Sequence, residues 1–118
     1  MVKVIIRSDS RFSVNRARVR QAVEKVVAEY GIKTATVGVM VVGDRKMTSL
    51  NQRWMKHQGT TDVLSFPINE ADYLGDVVIS YPQTVKQAAE HNKLVDDEMA
   101  FLVEHGMRHL MGEHHDDD

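Results

Sequence analysis

The sequence predicts a mixed α/β domain in which helices pack on a small four-stranded mixed sheet. Short β-branched runs alternate with stretches of helical apolar spacing, in the order βαβαββαα. The 118 residues are 42% hydrophobic and 27% charged, which favours one compact domain covering residues 1–118. The absence of cysteine excludes disulfides, thiol catalysis and thiolate metal sites. Any metal must therefore be held by His, Asp or Glu.

The first half of the chain predicts two strands, each followed by a helix. Alternating apolar and polar residues at the N-terminus indicate a strand, and a later β-branched run indicates a largely buried one. Apolar residues at helical spacing follow both strands. The predicted elements are a strand at 2–7, a helix at 14–30 capped by Ser13 or Asn15 and followed by Gly31, a strand at 36–42, and a helix capped by Asp44 with Met47, Leu50 and Trp54 on its inner face.

The second half of the chain predicts two short strands and two final helices. Proline is tolerated in a first helical turn, so Pro82 begins a helix that continues to about His91. Three acidic residues suit the positive end of the last helix. The predicted elements are a loop at 56–61, a strand at 63–66 closed by Pro67, a loop at 69–74, a strand at 77–80, and helices at 82–91 and 96–111.

Four of the six histidines lie within the eleven residues that begin at His105. His105 and His109 are four apart, so they stack on one helical face and can share a metal. Gly112 can end the helix and turn the chain so that His115 closes the site, with His114 as the alternative third ligand. Three imidazoles with an open fourth position are typical of catalytic zinc. The sequence predicts one zinc ion, although nickel, copper and iron also bind imidazole.

The spacing of these histidines, H-x3-H-x2-G-x2-H, matches that of the metzincin peptidases except at one position. Those enzymes have glutamate after the first histidine, where it acts as the general base. This chain has Gly106 there. A metallopeptidase is therefore an alternative that the sequence disfavours.

Two further blocks combine with the histidines into a recognisable set. They are T-D-V-L-S-F-P at 61–67 and L-G-D-V-V-I-S at 74–80. Together with 105–115, they resemble the YbeY family of bacterial ribosomal-RNA maturation proteins. The resemblance implies a zincin-like metal helix and a metal-dependent, single-strand-specific endoribonuclease. It also implies action in 3′-end maturation of small-subunit ribosomal RNA and in ribosome quality control, with the small ribosomal subunit, its RNA and its proteins as partners.

The chain departs from this family at three places near the predicted site. His114 stands where the family usually has Asp, and Arg108 stands where it has Leu. Trp54-Met55 occupies the place of a Tyr-Arg pair whose arginine is implicated in function. The candidates for general base are Glu104, Glu113 and His114, and those for phosphate binding are Arg53 and Lys56.

The charges are divided unevenly along the chain. Residues 1–60 hold 12 Lys/Arg and 4 acids, a net charge of +8, whereas residues 61–118 hold 3 and 13, a net charge of −10. A basic half can attract a polyanion, so a noncatalytic, ribosome-associated RNA-binding factor with a structural metal is a second alternative. The N-terminus lacks a signal-peptide pattern, and no apolar run would span a membrane. We therefore expect a cytoplasmic protein without membrane contact, monomeric by default.

Overall fold

A computed structural model of the protein describes residues 1–113. Four strands and four helices follow one another along this part of the chain in the predicted order, which confirms the mixed α/β class. They are β1 (Val2–Ser8), α1 (Arg16–Glu29), β2 (Ala35–Val42), α2 (Asp44–Met55), β3 (Val63–Glu70), β4 (Tyr73–Ser80), α3 (Tyr81–Glu90) and α4 (Val95–Leu110).

The sheet has the strand order β1-β2-β4-β3. β2 pairs in parallel with both β1 and β4, whereas β3 and β4 form an antiparallel hairpin. The crossover between the parallel strands β1 and β2 is made by α1, as such connections require. This order leaves β3 at one edge of the sheet, next to the C-terminal part of α4.

The main core lies between one face of the sheet and the helices α1 and α4. Alternate residues of β2 point into it, and β-branched side chains suit such a pleated, buried surface. Full burial of each aliphatic side chain contributes about 1.5–3 kcal/mol. The side chains with less than 2% exposure include Val23 and Val26 of α1, Val37 and Val39 of β2, Val77 of β4 and Met107 of α4.

The opposite face of the sheet is only partly covered. α2 packs there through Met47, which is fully buried against Val42, Leu64 and Val78. Met40 is half-buried at the border of this smaller cluster. The remainder of the face, on the side of β1, is open.

Two strands extend further than the sequence predicts. Pro67 does not close β3, because β3 is an edge strand and the missing N–H of proline interrupts no central ladder. The predicted loop at 69–74 is instead a tight hairpin connection, with Asn69 (φ 54°) and Ala71 (φ 51°) in the left-handed region. The sequence did not indicate this hairpin turn, because Ala rarely adopts a positive φ.

Two predictions for α2 are wrong. Gly43, not Asp44, is the N-cap, and the Asp44 carboxylate accepts hydrogen bonds from Ser80 Oγ (3.0 Å) and Gln83 Nε2 (3.3 Å). Trp54 is 61% exposed. The inner position of that turn is taken by Asn51, whose amide donates to the Gly59 carbonyl at 3.1 Å and is thereby satisfied.

Gly106 brings α4 unusually close to the sheet. A Cβ at this position would lie 2.7 Å from Val77 Cγ1 and 2.9 Å from Val63 Cγ2. Both contacts are shorter than van der Waals distance, and both partners are stiff β-branched residues that cannot easily turn away.

We expect Gly106→Ala to destabilise the protein, although Ala favours a helix over Gly by about 1 kcal/mol. Overpacking a core costs about 1–3 kcal/mol, so the net loss should be about 1 kcal/mol. Urea unfolding measures the difference. Helix propensity alone predicts an increase in the free energy of unfolding. Such an increase would show that packing does not hold α4 this close to Val77 and Val63.

Tyr73 and Asp76 interact on the open face of the sheet. The Tyr73 hydroxyl donates to Asp76 Oδ1, and Gly38 of β2 lies beneath them, where a Cβ would collide with both. The hydrogen bond to the carboxylate, followed by burial and the charge of Asp76, raises the pKa of Tyr73 to about 12, while Arg7 opposes the shift. The phenol therefore stays protonated well above neutral pH.

We predict that Asp76→Asn lowers the pKa of Tyr73 toward the ordinary value of about 10. The raised pKa means that the bond contributes its full stability below pH about 10 and loses it as the pH rises through about 12. Absorbance titration of phenolate measures the shift, with Tyr73→Phe identifying the high-pH step. A high-pH step that Asp76→Asn leaves in place would contradict the assignment.

Candidate metal centre

His105 and His109 lie one turn apart on α4 and face the same cleft. Their ring centroids are 4.5 Å apart, with 48° between the ring planes. Apolar residues on the other side of α4 are buried in the main core, which orients the histidine face toward β3. The cleft has a volume of about 420 Å³ and is lined by Met55, Asp62, Val63, Leu64, Ser65, Pro67, His105, Gly106 and His109.

A side-chain hydrogen bond fixes the two walls of this cleft. Ser65 Oγ of β3 donates to the Gly106 carbonyl oxygen at 2.7 Å. The same glycine permits the close approach to Val77 and Val63. The position of the two imidazoles relative to the strand therefore depends on Ser65 and Gly106.

The end of α4 has the geometry that Gly112 predicts. Gly112 has φ 97°, its N–H donates to the His109 carbonyl at 3.0 Å, and the Glu113 N–H donates to the Arg108 carbonyl at 2.9 Å. These two bonds are the 5→2 and 6→1 pair of a Schellman motif. The predicted ligand His115 and the alternative His114 follow directly, and both lie outside the described residues.

The described donors fit part of a zinc site. Two neutral imidazoles four residues apart on a helix are a frequent half of such a site. Residues 1–113 contain no group of three or more His, Asp or Glu side chains arranged to hold a metal. A three-ligand site thus requires a donor beyond Glu113, and the third ligand stays a prediction.

Asp62 is the one carboxylate that lines the cleft among the described residues. Its Oδ1 accepts from the Val63 N–H (2.8 Å) and its Oδ2 accepts from Gln87 Nε2 of α3 (3.0 Å). These bonds tie the start of β3 to α3. Asp62 therefore positions the wall of the cleft, a role that the sequence leaves undecided.

Glu104 and Arg108 face α1 rather than the cleft. Glu104 is paired with Lys25 at 3.0 Å, and Arg108 lies 3.5 Å from Glu104 and 3.1 Å from Glu29. Glu104 therefore stands apart from the site at which a general base would act, and Arg108 braces α4 against α1.

Glu113 also turns toward α1. Its carboxylate accepts a hydrogen bond from the Tyr30 hydroxyl. That bond is the main cause that raises the pKa of Tyr30. The described position of Glu113 is thus away from the histidine cleft.

Arg53 and Lys56 lie at the exposed end of α2. Lys56 is the C-cap in the left-handed region (φ 61°), and neither residue lines the histidine cleft. Met55 between them does line it. The place that the resemblance assigns to the family's arginine is therefore beside the predicted metal site, whereas phosphate binding by Arg53 and Lys56 stays a prediction.

The chain is similar to known proteins. The family model for the endoribonuclease YbeY matches residues 5–118. The chain belongs to the YbeY family. This confirms the resemblance inferred from the three sequence blocks.

Several curated proteins named endoribonuclease YbeY are similar to the chain. One from Prochlorococcus marinus is 39% identical over 73% of this chain and 53% of its own length. One from Anaeromyxobacter is 36% identical over 90% and 56%, and one from Persephonella marina is 36% identical over 88% and 72%. The chain thus spans little more than half the length of the first two relatives.

A solved structure shares the fold. The solution structure of a Thermotoga maritima protein superposes with a TM-score of 0.64 at 25% identity, over 98% of this chain and 76% of that one. Within residues 1–113, no helix has the length and apolar character needed to cross a membrane.

We predict that Arg108→Leu changes the free energy of unfolding by less than about 1 kcal/mol, because the ion pairs that Arg108 forms are partly exposed to solvent. Urea unfolding measures the change. A loss well above about 1 kcal/mol would contradict the placement of Arg108 in partly exposed ion pairs.

Proposed function

We propose that the protein is a metal-dependent endoribonuclease that cuts single-stranded RNA. The proposal extends to 3′-end maturation of small-subunit ribosomal RNA and ribosome quality control in the cytoplasm, in contact with the small ribosomal subunit. Family membership and the name of the relatives support the activity. The observation that carries the proposal is the pair of neighbouring imidazoles, His105 and His109, which face one cleft.

The proposed metal is one zinc ion held by His105, His109 and His115, with His114 as the alternative third donor. When bound, zinc supplies a Lewis acid for a phosphoryl oxygen and a means of activating water. The candidate bases Glu104 and Glu113 face α1 instead, and Asp62 is the one described carboxylate that lines the cleft.

The chain's own residues shape the cleft around the phosphate. Ser65 and Gly106 set the distance between β3 and α4, and Asp62 anchors the start of β3. The volume of about 420 Å³ is near the lower end of ligand pockets. That size suits one nucleotide.

The metallopeptidase alternative is disfavoured by packing as well as by sequence. The peptidase base would stand at position 106, where even a Cβ lies 2.7 Å from Val77 Cγ1. A glutamate there would force α4 away from the sheet. A peptidase base therefore cannot be placed at position 106 unless α4 moves.

We expect the zinc-loaded protein to cleave an unpaired oligoribonucleotide and to hold about one zinc per chain. His109→Ala should hold less than about half an equivalent and lose at least about tenfold in cleavage rate, because it removes one of three ligands. Metal analysis of untagged protein and gel-based cleavage measure both. Chelation should abolish cleavage, and zinc should restore it.

His57→Ala is the matched control, since His57 is an exposed histidine outside the cleft. Cleavage that survives both chelation and His109→Ala would sink the enzyme assignment. Stoichiometric zinc without cleavage of any RNA would instead favour the noncatalytic ribosome-associated factor.

A further inference from the structure

The open face of the sheet carries a continuous depression outside the histidine cleft. Three adjoining hollows of about 390, 300 and 130 Å³ all share Met40 in their lining. Arg7 and Asp76 each join the smallest hollow to one of the others, and Lys46 joins the two larger ones. The surface is therefore one extended groove, here called the sheet groove.

The sheet groove is positively charged. Its lining includes four cations, Arg7, Arg11, Arg45 and Lys46, and two carboxylates, Asp9 and Asp76, so its net charge is +2.

Both carboxylates already have partners. Arg11 lies 2.8 Å from Asp9, and Tyr73 donates to Asp76. Arg7, Arg45 and Lys46 are exposed, and no ion pair engages them within residues 1–113. Three cations are therefore available to an anionic ligand.

An aromatic platform lies at the end of the sheet groove nearest β3. Trp54 is 61% exposed, and Phe66 lines the same 300 Å³ hollow beside Leu50 and Lys46. An exposed indole next to a cation is the combination on which unpaired bases stack while their phosphates are neutralised. A base stacked on this ring would also bury part of its exposed apolar surface.

The sheet groove reaches the histidine cleft across the edge of the sheet. Trp54 lines the groove, and its neighbour Met55 lines the cleft. Likewise Phe66 of β3 lines the groove, whereas Ser65 and Pro67 on either side of it line the cleft. Since β3 is the edge strand, an extended ligand can pass over it from one surface to the other.

We propose that the sheet groove binds the unpaired RNA segment adjoining the scissile phosphate. One base stacks on Trp54, and the phosphates beyond it contact Lys46, Arg45 and Arg7. This inference rests on the proposed ribonuclease function and names the path of its substrate. The fit is to a single strand, because only unpaired bases are free to stack on Trp54 while Lys46, Arg45 and Arg7 neutralise the phosphates.

The decisive measurement is binding of a labelled, unpaired oligoribonucleotide to the full chain in the presence of chelator. Arg45→Ala/Lys46→Ala should weaken binding at least tenfold at low salt. It should also reduce the slope of log affinity against log salt by about 1.4, since each lost single-strand phosphate contact contributes about 0.7.

Trp54 gives an independent readout, because it is the only tryptophan in the sequence. Its fluorescence should be quenched as RNA binds, and Trp54→Ala should weaken binding about tenfold. Unquenched Trp54 at saturating RNA would overturn the stacking assignment.

The matched control is Arg20→Ala/Lys33→Ala, which removes the same charge from exposed positions outside the groove. Unchanged affinity and salt slope in Arg45→Ala/Lys46→Ala would overturn the groove, as would an equal loss in the control. Failure of the proposed function would be distinguishable, because the wild-type protein would then bind RNA in the groove but show no zinc-dependent cleavage. Circular dichroism verifies that each variant is folded.

Discussion

The close packing of α4 on the sheet at Gly106 is the constraint on which the site depends. Without a Cβ, this turn of the helix lies against Val77 and Val63, and its carbonyl is within reach of Ser65 Oγ at 2.7 Å. Burial of the opposite side of α4 in the main core then leaves the histidine face directed at β3. Core packing, rather than a dedicated loop, therefore orients His105 and His109.

The two faces of the sheet have different roles. One is filled by α1 and α4 and stabilises the fold, whereas the other is covered only in part by α2. Partial cover leaves Trp54 exposed and leaves Arg7, Arg45 and Lys46 of the sheet groove without ion pairs among residues 1–113. Under the proposed function, this face would hold RNA while the histidine cleft at the β3 edge would perform the chemistry.

The order of the elements could be predicted from the sequence, because the hydrophobic periodicity changes clearly between strands and helices. The end of α4 could also be predicted, because glycine is the residue that most often takes the positive φ with which a helix ends, as Gly112 does. Prediction from the sequence failed where tertiary context decides. Pro67 is tolerated only because β3 is an edge strand, and Trp54 is exposed because Asn51 takes the inner position. Glu104 and Glu113 were attractive by proximity in sequence, but contacts with α1 direct them elsewhere.

Under the proposed function, His105 and His109 bind the same zinc ion. X-ray absorption spectroscopy of the zinc-loaded protein tests this most directly, because imidazole gives characteristic multiple scattering. Three nitrogen ligands at about 2.0–2.1 Å are expected, with one imidazole fewer in His105→Ala. A first shell made only of oxygen, or a spectrum that His105→Ala leaves unchanged, would contradict this assignment.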